Sequence, residues 1–180
     1  MKRFSLTTMF LCMTFLLVLS AQAQMEASKP GPELKKLDYL SGTWTMEGDT
    51  KPGPMGPGGK WSMSEQNQWM DGGFFLVSRS QFKSGYMGNG SGTAYMGYDN
   101  NDKMYTYDEF NTMGEAEHSK GMIDGDRWTW TSEEKMGSQT YKSRYTMKIL
   151  SATAYTMKFE MSQDGSTWTT VMDGKATKTK

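Results

Sequence analysis

The chain has 180 residues, with 20 basic against 20 acidic side chains and a single cysteine. This balance of interspersed charges excludes the basic footprint that nucleic-acid binding requires. Because the cysteine, Cys12, lies in a segment expected to be removed, the mature chain is predicted to have no disulfide, thiol nucleophile or thiolate metal site.

The first 23 residues are typical of a secretory signal peptide. Lys2 and Arg3 provide the positive start, an apolar stretch runs from Met9 to Leu19, and Ala-Gln-Ala at residues 21–23 forms a small-x-small cleavage site. The apolar stretch is too short for a permanent membrane helix, which needs about 20 residues. We therefore expect an exported protein, periplasmic or secreted, with no integral membrane segment in the mature chain.

Two short elements precede the predicted sheet. Residues 24–33 form a polar linker, and residues 34–180 are predicted to be a single domain. Pro32 to Leu40 is predicted to be a short helix, because it starts with proline and places Leu34, Leu37 and Leu40 on one face. A helix this short needs a surface on which to dock, and the mouth of a barrel provides one.

From Thr43 onward, strand-like runs alternate with turns rich in Gly, Asn and Asp. The pattern predicts an all-β fold, an antiparallel up-and-down β-barrel of 8–10 strands with a short N-terminal helix. Two Gly-rich loops, at residues 51–59 and 83–90, are expected to gate its mouth. The candidate strands are residues 43–49, 60–70, 74–82, 91–98, 103–111, 115–123, 127–133, 139–150, 154–162 and 167–176.

Alternation along these strands predicts which side chains face inward. Charged alternates such as Arg144 and Glu160 are expected in water. Glu65, Asn67 and Glu109 fall on otherwise apolar faces, where they either anchor a guest molecule or form an internal hydrogen-bond network. The predicted aromatic lining consists of Trp44, Trp61, Trp69, Trp128, Trp130, Tyr145, Phe159 and Trp168.

Several strings of residues together carry a resemblance to a known family. Gly42-Thr43-Trp44 is similar to the Gly-x-Trp motif of lipocalin-like barrels. Longer strings are Pro30 to Leu37, Trp69 to Val77, Met96 to Asp99, Tyr105 to Tyr107, Phe110-Asn111, Met113 to Glu117 and Trp128 to Trp130. Together they resemble the bacterial domain-of-unknown-function family 1579 over essentially the whole mature chain. The resemblance implies a lipocalin-like (calycin) barrel in an exported protein, and it implies no reaction, ligand or catalytic residue.

Other chemistry has little support in the sequence. His118 is the one histidine, so it is either an axial haem ligand or, as we favour, a surface histidine. The 15 methionines that remain after residue 23 are spread over many strands, which favours core packing over copper capture. Glu65 and Glu109 would permit paired-carboxylate catalysis, but their spacing does not require it. We therefore expect no enzyme, no cofactor and no metal site.

The sequence thus favours a monomeric, exported barrel that binds a small apolar or amphipathic ligand in its cavity. Two alternatives stay open. In one, aromatic side chains fill the barrel, which then acts as a structural or interaction module of the cell envelope. In the other, the barrel binds haem through His118.

Overall fold

A computed structural model describes residues 29–53, 56–85 and 88–179, and the side chain of residue 134 is outside this description. The predicted signal peptide lies outside the described residues. In the described part of the chain, no helix has the length and apolarity to cross a bilayer.

Within these residues, ten strands form one closed barrel, as predicted. Each strand pairs with its neighbours in sequence in antiparallel fashion, and β1 closes the barrel by pairing with β10. The strands are β1 (Gly42–Thr50), β2 (Gly59–Trp69), β3 (Leu76–Ser84), β4 (Gly88–Asp99), β5 (Met104–Asn111), β6 (Ala116–Asp124), β7 (Arg127–Met136), β8 (Gln139–Ser151), β9 (Ala154–Ser162) and β10 (Thr169–Lys178).

The N-terminal helix is a 3₁₀ helix over Pro32–Leu40, with the bounds that the sequence predicts. Leu34, Leu37 and Leu40 are buried in the core of the barrel, so this apolar face docks at one end of it. We call this the helix end. The opposite, distal end carries the connection from β1 to β2 and every second connection after it, including both Gly-rich loops.

Residues that are paired across neighbouring strands share a face of the sheet, so the registers show which alternate positions of each strand face inward. Trp44 pairs with Glu65, Glu65 with Ser80, and Met63 with Phe82. Farther round the barrel, Trp130 pairs with Tyr145, and Tyr145 with Phe159. A closed barrel leaves no strand edge unpaired, so each of these strands is paired with a neighbour on both sides.

Candidate functional site: the barrel interior

The helix end of the interior is tightly packed. Trp44 is fully buried, and its indole Nε1 donates to the Leu40 carbonyl oxygen at 2.8 Å. The Trp44 ring packs against Tyr39 and Tyr155, at centroid distances of 5.3 Å and 5.0 Å. Trp128 lies beside the same cluster, 5.6 Å from Tyr39. Trp44 and Trp128 therefore form a solid floor at this end.

Two further predicted site residues, Asn67 and Trp69, hold the helix in place. Asn67 is buried and donates from Nδ2 to the Leu40 carbonyl oxygen at 3.0 Å. Trp69 donates from Nε1 to Asp38 Oδ1 at 2.8 Å. The last carbonyl groups of a helix lack hydrogen-bond donors within the helix, and Asn67 provides a donor for one of these carbonyl groups. These contacts give both residues a structural role at the floor.

Above this floor, large aromatic side chains lie flat along the wall of the barrel. A Cβ atom placed on Gly174 would lie 2.6 Å from Trp61 Cζ2, and one on Gly121 would lie 2.6 Å from Trp130 Nε1. Trp130 therefore occupies the space that a side chain on the adjacent strand β6 would fill, and Trp61 reaches across β1 to the corresponding space on β10. Because the rings cover the wall, they leave the axis of the barrel less crowded than inward-pointing rings would.

The polar centre of the interior is built around Glu65 and Glu109. The Tyr107 hydroxyl donates to Glu109 Oε2 at 2.5 Å. The Glu109 carboxylate lies over Gly92, since a Cβ placed there would be 2.4 Å from Glu109 Oε1 and 3.0 Å from Ser80 Oγ. Glu65 lies two strands away from Gly92 and accepts a long, 3.5 Å hydrogen bond from Asn67 Nδ2.

Burial changes the acid–base properties of this centre. Desolvation raises the pKa of Glu65 to about 7, with a weaker opposing effect from the Asn67 hydrogen bond and a further rise from Glu109. Burial, reinforced by the nearby carboxylates, also raises the pKa of Tyr107 well above its usual value. Tyr145 shifts in the same direction, again mainly through burial. Both phenols are therefore neutral hydrogen-bond donors at physiological pH.

Glu117 completes a cluster of three interior carboxyl groups. It is the direct cross-strand partner of Glu109, and its charge acts on both Tyr107 and Tyr145. We call Glu65, Glu109 and Glu117 the interior carboxyl cluster. Among the described strand positions on the inner face, the one basic residue is Lys178, which lies at the helix end with its Nζ 5.4 Å from the centre of the Trp44 ring.

Several inner-face side chains in the middle and distal parts of the barrel keep part of their surface accessible, although they face the interior. In contrast, Trp44, Leu37 and Leu76 at the helix end have essentially no accessible surface. The interior is thus packed at one end and incompletely filled toward the other. The partly accessible side chains are Met63, Glu65, Tyr107, Glu109, Tyr145, Phe159 and Met172.

The prediction for Trp168 was wrong, because this residue lies on the outside of the barrel. Its ring stacks under the Arg144 guanidinium, 4.1 Å from centroid to Cζ, on the face of β8 that alternates with Tyr145. A register shift between Thr170 and Met172 interrupts the alternation of β10. The period-2 pattern that places Met172 inside therefore does not extend back to Trp168.

The same stack corrects the expectation that Glu160 lies in water. Glu160 is 5% exposed although it is on the outer face, and it accepts hydrogen bonds from Arg144 Nε and Nη2 at 3.0 Å and 2.8 Å. Lys158 Nζ lies 2.9 Å from its other oxygen. Burial opposes ionisation, but the hydrogen bonds from Lys158 and Arg144 outweigh it, so the pKa of Glu160 is lowered.

His118 lies on the outer face of β6, as the favoured interpretation predicts. Its Nδ1 is 2.7 Å from Asp108 Oδ1, and 64% of its side chain is exposed. The ring also meets Phe110 edge-on, at a centroid distance of 6.0 Å. His118 therefore points away from the interior, where an axial ligand of an enclosed haem would have to lie.

Two open depressions lie on the outside of the barrel. One, with a volume of about 590 Å³, follows β2, β3 and β4 and is lined mainly by outward-facing polar side chains, including Gln66, Arg79 and Gln81. The other, of about 830 Å³, is near the distal end and includes Lys60, Lys83 and Lys175. Neither brings the predicted site residues together, so the interior remains the candidate site.

The structure thus brings Trp61, Glu65, Glu109, Trp130, Tyr145 and Phe159 to the incompletely filled part of the interior. It adds Glu117 and Ser119, which sequence reasoning missed. Their strand, β6, carries no large apolar residue at alternate positions 117, 119 and 121, so its pattern did not reveal an inner face. Their inward position could have been inferred only from the pairing of Ser119 with Tyr107 and of Glu117 with Glu109 on the preceding strand.

Comparison with known proteins is consistent with the fold. The family model described as "Protein of unknown function (DUF1579)" matches residues 29–178. A crystal structure of Rv2717c from M. tuberculosis is similar over 84% of this chain and 100% of that chain, with a TM-score of 0.57 and 14% sequence identity. At this identity the likeness extends to the fold alone. No curated protein matches the chain.

Proposed function

Because this chain belongs to the DUF1579 family, which carries no assigned function, we propose a function from its own interior: the barrel binds a small amphipathic molecule. The observation that supports this most is the unequal filling of the interior. The helix end is a closed aromatic floor, whereas Glu65, Tyr107 and Phe159 keep accessible surface inside the barrel. Ligand sites of this kind combine apolar walls with a few convergent polar groups.

The division of the interior suggests how such a guest would lie. Its apolar part would contact Met63, Phe159 and the flat face of Trp130, and its polar part would meet Glu65 and Glu109. The guest would enter from the distal end, since the helix blocks the other. The Tyr107 hydroxyl donates to Glu109 Oε2 and holds this carboxyl group in place, so we assign the pair a role in orienting the guest.

Export is part of this proposal. Residues 1–23 would direct the chain out of the cytoplasm and be removed, leaving a linker and a single barrel domain that acts as a monomer. A barrel that lacks disulfides must rely on its core for stability outside the cell, and the packed floor supplies such a core. Mass spectrometry of the protein recovered from the periplasm or medium would locate its N-terminus.

The decisive experiment is native mass spectrometry of the mature protein purified from its export compartment, with an absorption spectrum of the same sample. We expect an added mass that leaves on denaturation. A bare polypeptide mass in repeated gentle preparations would contradict ligand binding and favour the filled barrel as an interaction module. A Soret band would identify the guest as haem.

The Glu65→Ala variant links the added mass to the interior. Removing this carboxyl is expected to reduce the bound fraction while thermal unfolding stays cooperative, because within the described part of the chain Glu65 accepts one long hydrogen bond, from Asn67. Glu47→Ala is the matched control, since Glu47 is exposed on the outer face of β1. Equal retention of the guest in both variants would argue against an anchoring role for Glu65.

A further inference from the structure

Methionines in the described part of the chain differ sharply in exposure. Five of them are buried, with 3–5% of their surface exposed, whereas Met122 is 62% exposed, Met113 46% and Met70 45%. Because a thioether is oxidised when an oxidant reaches its sulfur, exposure separates the sites that react readily from those that are protected. The five buried residues are Met46, Met96, Met147, Met157 and Met161.

The three exposed methionines lie at separate points on the outer surface. Met70 follows β2, Met113 lies in the connection between β5 and β6, and Met122 is on the outer face of β6. The Met113 backbone N–H donates to Asn111 Oδ1 at 2.9 Å, so its backbone is fixed while its side chain stays in water. Since none of the three is among the described residues that form the core or pack against it, their oxidation disturbs little packing.

Oxidation inside the barrel would have larger consequences. Met63 and Met172 face the interior and keep part of their surface accessible. Conversion of either thioether to the polar sulfoxide would disrupt the apolar wall against which the proposed guest lies. Deeper in the barrel, Met46 Sδ accepts a hydrogen bond from the buried Tyr155 hydroxyl at 3.4 Å, and an added sulfoxide oxygen would overpack this contact.

The sulfur chemistry of the predicted mature protein is confined to thioethers, because no cysteine follows residue 23. We propose that Met70, Met113 and Met122 are sacrificial oxidation sites, which consume two-electron oxidants such as hypochlorous acid before these oxidants reach the interior. The sulfur is oxidised by two electrons and gains an S–O bond, the O–Cl bond breaks, and the products are methionine sulfoxide, chloride and a proton. The sulfoxides remain in water, where a sulfoxide reductase can restore the thioethers.

A limiting dose of hypochlorous acid tests this proposal. The mature protein receives about three equivalents per chain, one for each exposed methionine, and peptide mapping by mass spectrometry measures sulfoxide at every site. We expect the three exposed methionines to be oxidised about tenfold more than the five buried ones. Thermal unfolding of the treated protein should stay cooperative at nearly the same Tm, because the modified side chains lie outside the core.

A leucine variant tests whether the exposed sites protect the interior. Met70, Met113 and Met122 are all replaced with Leu, which keeps the apolar volume and removes the sulfur. Met25, Met55 and Met87, which lie outside the described residues, are Leu in every protein compared. At the same dose, sulfoxide at Met63 and Met172 should rise at least about twofold in this variant. Leu150→Ile, at an exposed position that carries no sulfur, is the control and should leave the distribution unchanged.

The outcomes separate this inference from the proposed function. Oxidation of buried and exposed methionines to the same extent would overturn it, as would equal oxidation of Met63 and Met172 with and without the three exposed thioethers. Circular dichroism checks that the leucine variant folds, and Met122→Leu, at the most exposed site, provides the test if it does not. Guest binding is measured on unoxidised protein, so a bare mass in native mass spectrometry would overturn the proposed function alone.

Discussion

At the scale of single residues, Glu65 has properties that depend most on its position in the barrel. Its pKa is raised to about 7, chiefly by burial. The folded state therefore holds a proton at pH values where the unfolded chain has already released it. The titratable groups that interact with it from the surrounding strands are Tyr107 and Glu109 on β5, Tyr145 on β8 and Tyr155 on β9.

This raised pKa makes stability depend on pH in a definite direction. Below the unfolded-state pKa both states are protonated, and between that value and about 7 the free energy of unfolding falls as pH rises. Replacing Glu65 with Gln should abolish this decrease in the free energy of unfolding, which is on the order of 2 kcal/mol between about pH 5 and pH 8. Urea unfolding of both proteins at several pH values measures it, and a parallel pH profile for the variant would contradict the raised pKa.

Gly121 tests whether the aromatic rings really lie along the wall. An added Cβ would be 2.6 Å from Trp130 Nε1 and 2.7 Å from Trp130 Cδ1, and a rigid indole cannot avoid it by rotating its tip. Gly121→Ala should therefore destabilise the protein by about 1–3 kcal/mol. Gly85→Ala is the control, because its nearest neighbour is the Lys60 carbonyl oxygen at 3.9 Å. A stabilised Gly121→Ala would mean that the ring moves freely.

At the scale of elements, the N-terminal helix depends on the barrel for its existence. It has nine residues and 3₁₀ geometry, which is too short and too strained to persist alone in water. Its buried leucines and the donors from Trp44 and Asn67 hold it in place. In return, the helix closes one end of the interior, so under the proposed function a guest would enter from the other end.

Among the three buried leucines of the helix, Leu37 is the one that is fully buried, so it is expected to contribute most to this docking. Leu37→Ala should lower the free energy of unfolding by about 3 kcal/mol, because it leaves a cavity between helix and barrel. Lys36→Ala, on the exposed side of the same turn, should change it little. Denaturant melts of the two variants decide the matter. Equal stabilities would show that the helix does not contribute to the core.

The outer contact between β8, β9 and the start of β10 is a second element-scale feature. Glu160 is buried there and engaged by Arg144 and Lys158, so Glu160→Gln should cost about 2 kcal/mol at neutral pH. Because the pKa of Glu160 is lowered in the fold, this cost should shrink as pH falls through the acidic range. Thermal melts at neutral and acidic pH provide the comparison. A cost that persists in acid would point to lost packing, not lost charge.

At the scale of the whole molecule, the pairing of β1 with β10 makes the barrel a closed unit. Lys175 is exposed on β10, yet its backbone lies between Glu47 of β1 and Thr156 of β9. A proline is tolerated at sheet edges, and a closed barrel has none. Substitution of such a residue therefore tests closure without disturbing the interior.

Lys175→Pro should cost about 3 kcal/mol or more, because it removes a ladder hydrogen bond in the middle of a strand that is paired on both sides. Lys175→Thr is the control, since it removes the charge and keeps the backbone N–H. Size-exclusion chromatography and circular dichroism should show a folded control and a destabilised or aggregated proline variant. A proline variant as stable as the control would argue against pairing of β10 on both sides.

Much of the architecture followed from the sequence. Alternation in β2 and β8 correctly places Trp61, Glu65 and Tyr145 on the inner face, because side chains in a strand point to opposite sides in strict turn. The helix bounds were also predicted, because Pro32 and the three leucines act locally. Local periodicity is sufficient to predict which face of a strand or helix is buried wherever large apolar residues lie on that face.

Other features were decided only by the tertiary structure. The shift in β10 that sends Trp168 outside, and the burial of Glu160 beside Arg144, depend on contacts with β8 and β9 that no local pattern encodes. Glu117 and Ser119 lie inside because β6 pairs with β5, although their own strand gives no hydrophobic signal. Alternation and turn residues are therefore sufficient to predict the barrel and most of its faces. Tertiary pairing decided the charge of the interior, because charge depends on which strands meet.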